Sequence, residues 1–351
     1  MKLDIWQVQG SSFHFGRRGL GQEESGVTFP SDSLFAALVA RIAVLNGSKA
    51  VEEFCAPFAE DQPPFLLTTV YPRAGSVLFF PNPALQNLKD REQGPRPKDL
   101  KQVRFLSEGV FRRVIAGEAL VDLWSELGKL HDNRVLYLPD EKDNFPNYLQ
   151  NMEEDEIKLW DIMRRPRVAV ERQTSASQIY HTGQTVFNEG CGLWFGMQWL
   201  EKEEALSAQV EQALEDLGYA GLGGERSSGF GACEIQKVNQ LDFPDNDQGL
   251  AVTLSRYLPK EKEMSLFRGE HASYTLESVG GWIGSEKGTA QRRRRVTFVA
   301  EGSVLSVENG GALGQMVDVQ PRYDGKEPMP HPVWRSGFTV AVGLENDGER
   351  E

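Results

Sequence analysis

Between residues 221 and 231 the chain reads Gly-Leu-Gly-Gly-Glu-Arg-Ser-Ser-Gly-Phe-Gly, with five glycines in eleven positions between a helix-like and a strand-like stretch. Glycine at this density supplies backbone that can take positive φ and pass close to another segment or to a ligand. The flanking order limits what such a loop can be. A phosphate-binding P-loop needs G-x-x-x-x-G-K-[ST] between a strand and a helix, whereas here no lysine follows a glycine in the loop and the order is helix, loop, strand. A dinucleotide fingerprint fails at Arg226, where its third glycine belongs. Two readings remain: an arc of backbone N–H groups that cradles an anion, with Arg226, Ser227 and Ser228 at its tip, or a bulged turn that lets helix and sheet pack closely. Glycine is abundant throughout, 35 of 351 residues, above the usual share of about 7%.

Periodicity places this loop in a larger order. Residues 2–9 alternate as a strand, and Pro30 to Ser33 open a helix whose apolar positions Leu34, Leu38, Ile42 and Leu45 lead to a stop at Asn46-Gly47. Phe65–Tyr71 and Val77–Phe80 read as strands, Val103–Phe105 as a short strand and Ser107–Ile115 as a short helix. Residues 139–161 are acidic and read as an inserted loop with the start of a helix. Alternation from Arg167 to Arg172, a turn-rich span from Ser175 to Gly183 and an apolar strand from Leu193 to Leu200 suggest a long projecting hairpin. A helix over 201–217 is predicted to stop at Gly218 and feed the glycine loop. Polar residues 242–249 mark a domain boundary, followed by strands near 250–256, 273–279, 296–307 and 333–344 with almost no helical pattern. The order approximates a ferredoxin-like domain with an inserted hairpin, followed by a mostly β second domain.

The net charge of −13 argues against nucleic acid only as an average. Lys89 to Arg113 holds eight basic and four acidic residues. Arg164, Arg165, Arg167 and Arg172 form a second basic segment, and Arg292 to Arg295 a third. Acid concentrates at 141–161 and 201–216. Such segregation suits one anionic ligand on an otherwise solvated surface, or simply exposed charge runs. A second glycine-rich loop, Gly10 to Glu24, interleaves Phe13, His14 and Phe15 with Arg17 and Arg18; rings that stack on unpaired bases beside cations that meet phosphates suit single-stranded RNA. Phe13 and Phe15 could equally be core residues. The hairpin segment Arg167 to Thr182 carries Ser, Thr, Gln and Tyr, able to bond phosphates or base edges, or to line an ordinary polar hairpin.

Other chemistry finds little support. Cys55, Cys191 and Cys233 form no C-x-x-C pair, and the five histidines show no H-E-x-x-H spacing, so no metal and no cofactor is expected. His131-Asp132 lacks the further ligands of a metal phosphohydrolase, and no G-x-S-x-G elbow occurs. Asp4 falls where a signal peptide needs apolar residues, and the apolar stretch Leu34–Leu45 is interrupted by Arg41 and shorter than the ~20 residues that span a bilayer. A cytoplasmic protein without membrane contact is expected.

The FHFG, SDSLFAAL, RFLSEGVF, VAVERQTSASQIYHT and GLGGERSSGFG segments, with YTLESVGGW, VAEGSVL and HPVWRSGFTVAVGL nearer the C-terminus, resemble the RAMP superfamily of CRISPR proteins. Within it the chain is similar to the fourth subunit of the Csm (type III-A) effector complex, most specifically at Phe13–Gly16, Ser31–Leu38, Arg172–Tyr180 and Gly221–Gly231. The resemblance implies an α+β protein of two ferredoxin-like (RRM-related) domains. The first would cover 1–240, with a thumb hairpin at about 164–187 and the glycine-rich loop at 221–231; the second, degenerate, would cover 250–351. It implies a non-catalytic subunit that holds the 5′ handle of the CRISPR RNA and seats the large polymerase/cyclase subunit and the first backbone RAMP subunit, in antiviral defence. By motif match the RNA-binding residues would be Phe13, His14, Phe15, Arg17, Ser31, Ser33, Arg104, Arg167, Arg172, Gln173, Thr174, Ser175, Tyr180, Gly223, Gly224, Arg226, Ser227, Ser228 and Gly229. The alternative is a metal-independent endoribonuclease that cuts repeat RNA with His14 and His181 as acid and base. The acidic insert at 139–161 and the Arg292–Arg295 run match no part of the family pattern.

Overall fold

The structure, a computed structural model, describes residues 1–16, 24–84, 95–170, 177–247, 249–269, 271–283, 291–307, 310–321, 329 and 331–345. The expected first strand is β1 (Lys2–Gln9), followed by the short β2 (Ser12–Phe13) and a helix α1 (Ser31–Ala59). The helix was expected to stop at Gly47. That residue does leave helical geometry, at φ 83° and ψ 179°, but the helix resumes beyond it. The reason is packing: Phe54 and Phe58 of the second segment reach the core, with ring centroids 6.0 and 4.8 Å from Phe35, and Phe58 lies 5.2 Å from Phe65. By length and apolar composition α1 could cross a bilayer, yet Leu34, Phe35, Leu38, Ile42, Phe54 and Phe58 are buried in this fold.

The chain continues through β3 (Phe65–Leu67), β4 (Tyr71–Ala74), β5 (Val77–Pro81), α2 (Pro97–Gln102), β6 (Phe105–Ser107), α3 (Glu108–Ile115), α4 (Leu120–Leu123), β7 (Gly128–Leu130), β8 (Val135–Tyr137) and α5 (Asn147–Gln150). Ser107 caps α3, its Oγ accepting the Val110 N–H at 3.4 Å. The acidic insert is partly structural rather than solvated. Glu141 accepts the Gly109 and Leu138 N–H groups at 2.9 and 2.8 Å, and Glu154 takes the Tyr137 hydroxyl at 3.1 Å. The helix expected within 139–161 is limited to the short α5, and the chain then enters a strand: β9 (Trp160–Val170) pairs antiparallel with β10 (Ser177–Phe187), and β2 adds to the base of this hairpin. Strand β11 (Cys191–Trp199), helix α6 (Glu204–Ala220) and strand β12 (Glu234–Asp242) complete the first half.

The main sheet runs in the order β12-β1-β11-β4-β5-β6-β8-β7, with β3 also on β11. Helix α6 passes the predicted stop. Gly218 is needed for close approach, since a Cβ there would lie 2.5 Å from the Cys233 carbonyl oxygen, and the left-handed backbone comes at Gly221 (φ 87°) instead.

Beyond residue 248 the described chain is mostly β, with a 3-10 helix at Glu261–Phe267: β13 (Gly249–Thr253), β14 (Leu276–Val279), β15 (Trp282–Ile283), β16 (Gln291–Arg292), β17 (Val296–Val299), β18 (Val304–Val307), β19 (Met316–Asp318), β20 (Trp334–Ser336) and β21 (Ala341–Leu344). Strand β13 sits between β18 and β21. The two halves share one core: Leu250, Val252, Leu254, Val304, Phe338, Val340 and Val342 belong to the same apolar cluster as Leu3, Phe80 and Trp194. The connecting residue Phe243 is buried in it, 5.5 Å from Phe80 and 4.4 Å beneath the Arg112 guanidinium.

A polar seam closes the contact between the halves. Thr69 N donates to Leu254 O at 2.9 Å, Tyr71 Oη to Leu254 O at 2.8 Å, and Ser255 Oγ to Leu67 O at 2.7 Å. At its centre Asp32, fully buried in the first turn of α1, receives Arg256 Nη1 at 2.9 Å; Arg335 and Arg293 stand 3.6 and 3.9 Å away. Arg256 also pairs with Glu277 at 2.7 Å. Burial, with the neighbouring arginines, pulls Arg293 down to about 10, whereas the carboxylates bonded to Arg256 hold it above its ordinary value. One member of the Arg292–Arg295 run is therefore architectural.

Candidate nucleic-acid interface

The two glycine-rich loops meet at the base of the β9–β10 hairpin. Leu222 N donates to Gly231 O at 2.9 Å, which closes the 221–231 loop on itself. Gly231 N and Gly224 N then donate to Ser12 O and His14 O at 2.8 and 2.9 Å, stitching it to the segment after β1. Gly223, at φ 97°, permits this approach, because a Cβ there would lie 2.6 Å from His14 O. At the tip Glu225 is left-handed (φ 55°), Arg226–Ser228 form one 3-10 turn and Gly229 is again left-handed (φ 87°). Arg226, Ser227, Ser228 and Gly229 are exposed.

The expectation that Phe13 and Phe15 stack on bases is corrected. Both rings are buried, 5.2 Å from each other, with Phe187 5.9 Å from Phe13 and Phe29 5.2 Å from Phe15, so neither face is open to a ligand. Burying such a ring is worth about 1.5–3 kcal/mol, enough to place both in the core. His14 is also buried, its Nδ1 2.7 Å from Gly183 O. A carbonyl can only accept, so Nδ1 carries the proton and the ring is fixed between loop and hairpin. Ser31 is buried at the seam, where its Oγ accepts the Arg256 N–H at 3.0 Å; Ser33 beside it is half-buried, and neither belongs to the loop cluster. Arg104 is exposed elsewhere, 5.7 Å over Phe105, whose ring meets Trp160 edge-on at 6.0 Å.

Arg167 and Tyr180 are cross-strand partners on the hairpin, Tyr180 exposed and Arg167 half-buried, and the Arg167 guanidinium lies 5.3 Å over the Phe230 ring of the glycine loop. This contact joins hairpin and loop into one surface. Arg17, Arg172, Gln173, Thr174 and Ser175 lie outside the described residues. The site prediction omitted the exposed apolar residues Ile162, Met163, Val168, Val170 and Ile179, together with Arg164 and Arg165. Their signal was the excess of apolar residues on a segment with no core to face. Among the described residues no ion pair engages Arg164, Arg165, Arg167 or Arg226, and no group of three or more His, Cys, Asp or Glu could hold a metal ion. His131 is structural: it stacks on Trp160 at 4.0 Å, its Nε2 accepts the Leu159 N–H at 3.1 Å, and burial pulls it down to about 4.

Residues 246–344 match the family described as the CRISPR Csm4 C-terminal domain. A CRISPR system Cms protein Csm4 from Streptococcus thermophilus is 26% identical over 98% of this chain and 99% of the relative, and one from Methanocaldococcus jannaschii is 23% identical over 92% and 90%. Over nearly its whole length the chain is similar to Csm4 proteins. The fold agrees: the chain superposes with a TM-score of 0.68 at 17% identity on a chain of a Csm3–Csm4 subcomplex from a type III-A interference complex, covering 98% of this chain and 100% of the other. A Csm1–Csm4 cassette bound to pppApA gives 0.55 at 19% identity, over 99% and 100%.

Proposed function

We propose that this chain is a non-catalytic, RNA-binding subunit of a type III-A CRISPR Csm interference complex. It holds the 5′ handle of the CRISPR RNA and anchors the large polymerase/cyclase subunit and the first backbone subunit. In this reading residues 1–240 and 250–351 are two ferredoxin-like domains, and the β9–β10 hairpin is the thumb. The family relationship supports the complex, and the similarity to chains in Csm3–Csm4 and Csm1–Csm4 assemblies supports the two partners. The observation that carries the RNA site is the Arg167–Phe230 contact, which brings the hairpin's basic face against the exposed Arg226–Gly229 tip.

A flat, mixed surface of arginine, tyrosine and exposed aliphatic side chains suits unpaired nucleotides, whose bases offer apolar faces and whose phosphates meet guanidinium groups. The N–H groups of the loop tip add donors for a phosphate. Catalysis is not assigned to His14, whose Nδ1 is committed to Gly183 O. Photo-crosslinking of the assembled complex with 4-thiouridine placed along the handle tests the assignment. Crosslinks are expected on peptides from 160–187 and 221–231; crosslinks confined to other subunits would overturn it.

A further inference from the structure

The Arg292–Arg295 run is unassigned by the family pattern, and its four side chains divide. Arg293 turns inward to Asp32 and donates from Nη2 to Gly280 O at 3.0 Å. Arg294 is exposed and donates from Nε to Gln320 O at 2.9 Å. Arg292 and Arg295 are also exposed, and the Arg292 guanidinium lies 4.9 Å over the ring of Trp282, its cross-strand partner. Trp282 is 63% exposed, an unusual state for the largest apolar side chain.

Backbone pairing explains how they come together. Strand β14 pairs with β17 and β15 with β16, so 276–283 and 291–299 form two legs of one antiparallel ribbon that bends at Gly280-Gly281 (Gly281 φ 152°). Arg293 pins the bend to the buried seam, which turns Arg292 and Trp282 outward. The described legs carry four arginines and one carboxylate, and that carboxylate, Glu277, is taken by Arg256. On a chain of net charge −13 this is a local positive excess with an open aromatic ring in it.

We propose that this ribbon is a second contact for single-stranded RNA, with an unpaired base stacked on the free face of Trp282, opposite Arg292, and Arg292 and Arg295 on the flanking phosphates. The proposal rests on the RNA-binding role assigned above but uses residues outside the hairpin and glycine loops. A ring capped on one face by a guanidinium is a stacking platform for any base, so the contact is sequence-tolerant. Arg292 over the ring and the exposed Arg294 and Arg295 on the same ribbon make an anionic ligand the occupant argued for here, on a chain that is otherwise acidic.

The test uses the full chain and fluorescence anisotropy with a short fluorescein-labelled oligouridylate. Trp282→Ala is expected to weaken binding about tenfold, Trp282→Phe to retain most of the affinity, and Arg292→Ala to lower the salt slope by about 0.7. Because Trp282 is exposed, the variants should keep the parent's circular dichroism, and Arg293→Ala serves as the variant that perturbs the seam instead. Unchanged affinity in Trp282→Ala overturns the proposal and assigns the face to a protein partner. A parent chain that binds oligouridylate while Arg167→Ala/Arg226→Ala does not would keep the hairpin site whatever Trp282 does; a parent that binds no RNA overturns both readings.

Discussion

Two sets of arginines in this protein have the same chemistry and opposite surroundings. Arg256, Arg293 and Arg335 converge on the buried Asp32 where the two halves meet, while Arg164, Arg165 and Arg226 stand exposed and Arg167 half-buried at the hairpin and glycine loop, with no carboxylate in contact among the described residues. A buried guanidinium without a counter-charge is costly, so the first set has to be balanced from within the fold. An exposed one costs little while water solvates it and gains when phosphate releases counterions. The contrast separates residues that hold the protein together from those to which the proposed function assigns the RNA.

Removing Asp32 is the strongest way to break that contrast. Asp32→Ala leaves the buried Arg256 and Arg293 and the half-buried Arg335 facing one another and should cost about 3–5 kcal/mol, read as a large fall in the urea midpoint; Arg226→Ala should leave the midpoint where it is. A smaller effect is expected at the loop. Gly223→Ala forces a side chain into φ 97° against His14 O and should cost about 1–2 kcal/mol from backbone strain alone, with weaker RNA binding as the loop lifts from the hairpin base.

A third test is pH. Burial holds His131 at about 4, below the ordinary value near 6.5, so the folded form keeps it neutral. Between those values the unfolded chain binds a proton that the folded chain does not, and stability therefore falls as pH drops from about 6.5 toward about 4 and is fully present above that window. Urea midpoints at near-neutral and mildly acid pH should show the fall, and His131→Gln, which keeps an acceptor for the Leu159 N–H, should flatten it.

Periodic and capping signals made much of the architecture legible. The alternation of β1, the short helix from Ser107 and a hairpin within 164–187 appear in the described fold, but Leu193–Leu200, expected in that hairpin, falls largely in β11 of the main sheet, and the span expected to be turn-rich lies largely in the strand β10. Signals that depend on distant partners did not. Gly47 and Gly218 both read as helix stops, but Phe54 and Phe58 draw α1 onward into the core, and Gly218 is small to admit Cys233. In the candidate site, Phe13-His14-Phe15 looked like a stacking motif because local sequence cannot say which way an aromatic faces; Phe29, beyond the glycine-rich loop, and Phe187, remote in sequence, decide it. The same limit hid Arg293, identical to its neighbours in the sequence and distinguished only by an aspartate 261 positions away. What the glycine-rich loops did announce, close backbone approach, is what they provide, to each other at Gly223 and Gly224.

The most direct measurement of the central claim is the salt dependence of handle-RNA binding by the intact chain and by Arg167→Ala/Arg226→Ala. Each cation on a single-stranded phosphate contributes about 0.7 to the slope of log affinity against log salt, so the double variant should bind more weakly with a slope shallower by about 1.4. An unchanged affinity and slope in a folded double variant would contradict the account, because the exposed arginines would then have no phosphate to meet.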